Sequence, residues 1–249
     1  MNQANTIPKT PPTRYMGLVL AALVSSLWVG IHLYSIFFHT LSAPLWQTLS
    51  LIALHCWLYV GLFIIAHDTI HGSLWPGKPK ANEMIGTIIM FVYAGFDWKI
   101  MSKAHHDHHD FSGTEGDPDF NANDPVHFWS WYFKFFFQYF GVKQIVILVG
   151  FTGLYILLGA SYINTIVMWA VPAILSSIQL FYFGTYLTHR HKGAFPDTHN
   201  ARSNNYPLLI SLLTCFHFGY HHEHHLYPHE PWWRLPARKG DIPKQGEAT

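Results

Sequence analysis

Charge is what this 249-residue sequence has least of: Asp, Glu, Lys and Arg make up 12% of it, against about 25% in an ordinary soluble domain. The shortage is concentrated. No acidic or basic residue occurs from Tyr15 to Ala66, nor from Gln144 to His189. Runs of that length point to a membrane protein rather than a soluble one, and no nucleic-acid partner is expected of it. Cysteine is almost missing too. Cys56 and Cys215 each lie inside an apolar run, where a thiol reads as a small core residue, so no disulfide framework is implied. No flavin, nicotinamide or haem motif is visible, so any redox chemistry must draw its electrons from outside.

The charge-free runs break at the loops His39–Pro44 and Gly159–Asn164. This gives four spans near Met16–Phe38, Leu45–Ala66, Gln144–Leu158 and Ile163–Leu187, for which a membrane helix needs ~20 residues. The fold class expected is an all-α integral membrane protein, with about four transmembrane helices in two hairpins. Met84–Phe96 and Leu208–Phe218 are too short to span and read as re-entrant or interfacial helices. The aromatic stretch Phe128–Phe140, interrupted by Lys134, reads as an interfacial helix. The two break loops carry no Lys or Arg, whereas Lys78, Lys80, Lys99, Lys103, Arg190, Lys192 and Arg202 all fall at the opposite ends of the spans. The positive-inside rule makes that side cytoplasmic. One domain, residues 15–236, is expected between polar tails at 1–14 and 237–249.

Against these scarcities stands an abundance of histidine, 19 residues. His67 and His71 are four apart, and His105, His108, His109 and His221, His224, His225 each follow i, i+3, i+4 spacing. On a helix each group presents one face, and the two-hairpin topology returns all of them to the same side of the membrane. His189, just after the last span, is a ninth candidate. His106 and His222 would be turned away by about a quarter-turn, and a supporting role suits them and His229. The isolated His32, His39, His55 and His127 read as ordinary interfacial residues. Nine imidazoles overfill one zinc ion and suit two metal ions in a cytoplasmic helical cap; iron, zinc and copper are all compatible. His222-Glu-His-His-Leu226 is not a zinc-protease motif, because Leu226 stands in the last histidine's place. Asp68, Asp117 and Glu223 are the candidate catalytic carboxylates, best suited to orienting the imidazoles; Asp107, Asp110 and Asp119 also lie close by.

The combination H-x3-H, H-x2-H-H, H-x2-H-H between apolar hairpins resembles the membrane desaturase–hydroxylase superfamily of non-haem di-iron enzymes. The segments His67-Asp-Thr-Ile-His-Gly72, Gly116-Asp-Pro-Asp-Phe120, Leu180-Phe-Tyr-Phe-Gly-Thr185, Ala194-Phe-Pro-Asp-Thr-His-Asn-Ala-Arg202, Phe216-His-Phe-Gly-Tyr-His-His-Glu-His-His-Leu-Tyr-Pro228 and Pro231-Trp-Trp-Arg-Leu-Pro236 narrow it to the bacterial β-carotene ketolases. The resemblance implies two ferrous ions on the nine histidines, with His189 placed by similarity to the desaturase branch. Thr188 stands where that branch would have proline, and Thr185 where it tends to have Asn. It also implies O2 as co-substrate, electrons from a ferredoxin or similar soluble carrier, and a location in the bacterial inner membrane with the site facing the cytoplasm. Lys192 and Arg202 are the basic residues on which such a carrier is expected to dock. The implied reaction is stepwise oxygenation of C4 of a β-ionone ring to a ketone, yielding echinenone and canthaxanthin, or astaxanthin. Trp75, Phe91, Tyr93, Phe96, Phe181 and Tyr182 are expected along the carotenoid's path. Competing readings are a carotenoid hydroxylase or fatty-acid desaturase on the same core, a zinc hydrolase, and, from another class, a divalent-metal transporter. Against the last, transporter ligands should lie near the bilayer midplane.

Overall fold

The computed structural model describes residues 15–241; the tail expected at 1–14, and residues 242–249 of the one expected at 237–249, lie outside them. The described residues are helical, with no strand among them. The helices are α1 (Met16–Phe37), α2 (Leu45–Ile70), α3 (Pro79–Ala94), α4 (Trp98–Phe111), α5 (Phe128–Tyr139), α6 (Val142–Leu157), α7 (Tyr162–His189), α8 (Leu208–Cys215) and α9 (His221–Leu226). A 3₁₀ turn at Trp232–Arg238 follows. Its Arg238 pairs with the buried Glu230, so the chain is folded past Pro236, the boundary expected from the sequence.

Three helices, α1, α2 and α7, are long and apolar enough to cross a membrane. Two further pairs would raise that to five if each were one broken span: α3 with α4, bent by 100°, and α5 with α6, bent by 75°. The four-span expectation is therefore matched at three positions. Its remaining span, α6, has 16 residues, about 24 Å of helix, short of the ~30 Å hydrocarbon. At the first bend Gly95 has φ +70°, a conformation that a side chain would oppose, and Asp97 then caps α4 by accepting from the Lys99 and Ile100 amides.

Helix α2 is the axis of the bundle. Leu58, Tyr59, Val60, Ile64, Ile65 and Ala66 are fully buried, with α1, α3 and α7 packed round them. Its 26 residues make about 39 Å, so it continues a turn beyond the Ala66 limit read from the charges and carries His67 with it. The α2–α3 crossing is tight: a Cβ at Gly86 would lie 2.2 Å from Trp98 Nε1 and 2.3 Å from Thr69 Oγ1. Val19, Leu23, Leu27, Val146, Val149 and Leu157 point outward, as lipid-facing residues do.

The two break loops meet at one end, where Asn164 Nδ2 donates to the carbonyls of Ser35, Ile36 and His39 at 3.3, 3.3 and 2.8 Å. That satisfies the last carbonyls of α1. Helix α7 contains two π-helical segments, Thr165–Ala170 and Phe181–Tyr186. Pro172 has no N–H, so the Met168 carbonyl four residues earlier loses its helical donor. His55 Nδ1 takes that place at 2.8 Å. His32, His39 and His55 are thus buried rather than interfacial, each with a hydrogen-bond partner; His127 is exposed as expected.

Candidate metal centre

Four segments deliver the histidines to the end opposite the break loops. The last turn of α2 provides His67 and His71, α4 provides His105, His108 and His109, α7 ends on His189, and α9 carries His221, His224 and His225. They sort into two sets. His67, His71, His105, His109 and His224 bring ligand atoms within 4.8 Å of one another, as do His108, His189, His221 and His225. The sets abut: the rings of His109 and His225 are 4.3 Å apart between centroids.

The nitrogens converge as lone pairs on a cation would. His105 Nε2 lies 2.8 Å from His67 Nε2, 2.7 Å from His71 Nε2 and 3.1 Å from His109 Nε2. One ring nitrogen cannot hydrogen-bond to three others at once, because each neutral imidazole has one N–H and one lone pair. In the second set His189 Nδ1 donates to the Asn200 carbonyl at 2.9 Å, leaving its buried Nε2 without a partner. Burial, reinforced by neighbouring imidazoles, holds His221, His224 and His225 well below the ordinary imidazole range and pushes His109 down to about 2. Neutral imidazoles with free lone pairs are what a transition metal requires. The residues therefore fit two metal ions, one with five donors and one with four.

Of the three carboxylates singled out, Asp117 holds one of the clustered imidazoles directly. His108 Nδ1 donates to both of its oxygens at 3.0 Å, and the amides of Gly113 and Asp119 donate to it at 2.9 and 2.8 Å. Burial works against charge on His108, but the Asp117 carboxylate outweighs it and raises the imidazole's pKa. Asp68 lies 3.7 Å from His67 Nδ1, too far for a hydrogen bond, and accepts instead from the Trp232 amide. Glu223 is buried but accepts from Ser203, with no hydrogen bond to an imidazole among the described residues. His106 is turned out, bonding back to the Ser102 carbonyl, and His222 turns to Asp197 at 2.7 Å. His229 donates to the His71 carbonyl at 2.9 Å.

The structure gives a place to Asp119, which the sequence only set close to the histidines, and adds cavities that the sequence did not show. Asp119, pushed up to about 6 by burial and then by Asp117, faces His108 in a third cluster with Asp117 and accepts from Tyr139. A small cavity of about 50 Å³ touches His67, His105, His108, His221, Asp119, Tyr139 and Thr185. It meets a larger apolar cavity of about 350 Å³ at Phe63, Met101, Phe135, Tyr139, Gly184, Thr185 and Phe218. Tyr93 and Phe96 line the larger space as expected, but Trp75, Phe91, Phe181 and Tyr182 do not. Phe181 is instead fully buried beside Phe120, Trp131 and Tyr132.

An apolar helical bundle with nine converging imidazoles at one end has the makings of a membrane protein with a polyhistidine metal site. Residues 41–148 and 142–247 match the Fatty acid desaturase family, and the chain belongs to it. Within that family it belongs with the β-carotene ketolases. It is 44% identical over 243 residues to the Beta-carotene ketolase of Paracoccus sp. (strain N81106 / MBIC 01143), covering 96% of this chain and 98% of that protein. It is 46% identical to the Beta-carotene ketolase of Paracoccus sp. (strain PC1), covering 93% and 96%. A more distant relative, the Zeaxanthin 4-ketolase of Chlamydomonas reinhardtii, is 32% identical over 92% of this chain and 54% of that protein. No solved structure matches.

Proposed function

We propose that the chain is a carotenoid 4-ketolase, converting the C4 methylene of a β-ionone ring to a ketone, with β-carotene giving echinenone and then canthaxanthin. The observation that carries the reading is the junction of the apolar cavity with the histidine centre. A lipid-dissolved ring entering past Phe63, Phe135 and Phe218 arrives at His67, His105, His108 and His221. A transporter reading has no use for an apolar cavity ending on its ligands.

The metals we assign are two irons, on the five-histidine and four-histidine sets. When bound, they supply the O2 activation that removes hydrogen from an allylic C–H. The chain's own residues hold and shape that reaction. Asp117 fixes the tautomer of His108, and the Asn200 carbonyl fixes that of His189. The small cavity has room for O2 beside a water-sized molecule, while the apolar lining keeps bulk water away. Each oxygenation takes O2, two electrons and two protons, leaving a hydroxyl on the ring and releasing water. A second round gives a geminal diol that loses water to the ketone, so the ring gains one oxygen and loses two hydrogens.

We assign the histidine end to the cytoplasmic side of the inner membrane, from the distribution of Lys and Arg. Electrons then come from a soluble ferredoxin-like carrier. Of the two basic residues expected to dock it, Lys192 is exposed, but Arg202 is tied to the Arg190 carbonyl at 2.8 Å and to the Phe195 ring at 3.9 Å. The docking role therefore falls to Lys192. The test is expression in cells that accumulate β-carotene, with mass analysis of pigments. A gain of one oxygen and loss of two hydrogens per ring supports the ketolase; oxygen alone would make it a hydroxylase. Unchanged pigment from a chain holding two irons would refute the substrate.

A further inference from the structure

The larger cavity is elongated. Along α7 alone its lining runs from Thr165, Ile166 and Trp169 to Gly184 and Thr185, about twenty positions or about 30 Å of helix. That is close to the thickness of the hydrocarbon. A rod-like ligand with a ring at each end can occupy such a space with one ring at the histidines and the other at the far end.

Its polar lining is sparse and mostly committed within the chain. Thr165 Oγ1 donates to the Ser161 carbonyl at 2.9 Å, Ser177 Oγ to the Ile174 carbonyl at 2.8 Å, and Tyr139 to Asp119. Tyr93 faces Ser176 at 3.4 Å. Two hydroxyls that line the cavity, Thr185 and Thr152, meet no hydrogen-bond partner among the described residues. Thr185 also lines the small cavity at the histidines and marks the reacting end. Thr152 lies on α6, one turn before Tyr155, whose ring packs 5.4 Å from that of Trp169 at the other end. Tyr155 OH in turn bonds His32 Nε2 at 3.0 Å, so this end of the cavity adjoins a polar cluster inside the bundle. A helix-borne threonine in lipid normally bonds back to its own helix; Thr152 does not.

We propose that Thr152 is a specificity-determining residue whose hydroxyl donates to oxygen on the ring that is not reacting. The inference rests on the ketolase reading. An unmodified β-ionone ring offers Thr152 nothing to bond. After the first ring has been oxidised and the molecule has turned end for end, a ketone oxygen, which only accepts, lies at the Thr152 end. The half-oxidised molecule is then preferred over fresh β-carotene, and the diketone accumulates in place of the monoketone.

The experiment supplies membranes holding the metal-loaded enzyme with equal amounts of β-carotene and echinenone and measures the ratio of their kcat/KM values. One net hydrogen bond corresponds to roughly a two- to tenfold preference. Thr152→Val, nearly isosteric but without the hydroxyl, is expected to lower the echinenone preference about fivefold. Thr152→Ser, which keeps the hydroxyl, is expected to retain it. An unchanged ratio in T152V, or a T152S ratio equal to that of T152V, overturns the proposal. Absence of any ketone from the unaltered enzyme would instead remove the ketolase reading beneath it, a failure seen in the parent chain before either variant is compared.

Discussion

Replacing Asp117 by Asn changes one atom and tests the two-metal assignment directly. The carboxylate accepts from three donors, His108 Nδ1, the Gly113 amide and the Asp119 amide, all within 3.0 Å. An Asn side chain has one acceptor oxygen, so its NH2 group must face at least one of those N–H donors. Hydrogen bonds to charged groups are worth about 1.5–3 kcal/mol each, part of which the loop recovers by shifting. Loss of such a partner behind a ligating imidazole costs about 10–100-fold in metal affinity, or about 1.4–2.7 kcal/mol. The loss should be local. His108 belongs to the four-histidine set, and the histidine to which Asp117 hydrogen-bonds is His108. Detergent-purified protein is titrated with a chelator while bound iron is counted. At chelator levels that leave the parent with two irons, Asp117→Asn should hold about one. Parallel release curves for parent and variant, or joint loss of both irons, would refute this reasoning.

Three other outcomes follow from the packing. His55→Leu removes the side-chain donor from the buried Met168 carbonyl, at roughly 1–3 kcal/mol. Adding Pro172→Ala restores an N–H four residues away, so thermal melts of the parent and the three variants should show the alanine recovering more stability in the His55→Leu background than in the parent. Gly86→Val drives methyl groups into Trp98 and Thr69, breaking the Trp98 Nε1–Thr69 Oγ1 bond of 2.9 Å; a lower yield of folded protein and a fall in melting temperature are expected, and an unchanged melt would contradict the tight crossing. His222→Gln should keep both irons, since that ring turns to Asp197. His225→Gln should release iron from the four-histidine set, and equal metal content in the two variants would count against the ligand division.

What the sequence disclosed about the site and what it hid follow from how a helix distributes its side chains. Side chains that converge on one centre must share a helix face, so i, i+3, i+4 spacing betrays them, and every histidine chosen on that ground lies in one of the two sets, although each trio divides between the sets. The same geometry misleads about carboxylates: successive residues diverge by about 100°. Asp68 and Glu223, immediate neighbours of clustered histidines, therefore miss the imidazoles, whereas Asp117 reaches His108 because the chain turns back beyond α4. The Asn200 carbonyl behind His189 has no side-chain signature at all. Helix ends are legible only as far as charge marks them, so the charge pattern ends α2 at Ala66 although its backbone continues to Ile70. The burial of His55 has a signal of a different kind. A proline inside a span removes the N–H that an α-helix offers the carbonyl four residues earlier, in a medium without water, so Pro172 makes the Met168 carbonyl a place for a donor from another helix. Counting such backbone groups before weighing side-chain types would mark Met168 from the sequence, and the packing of α2 against α7 then supplies His55.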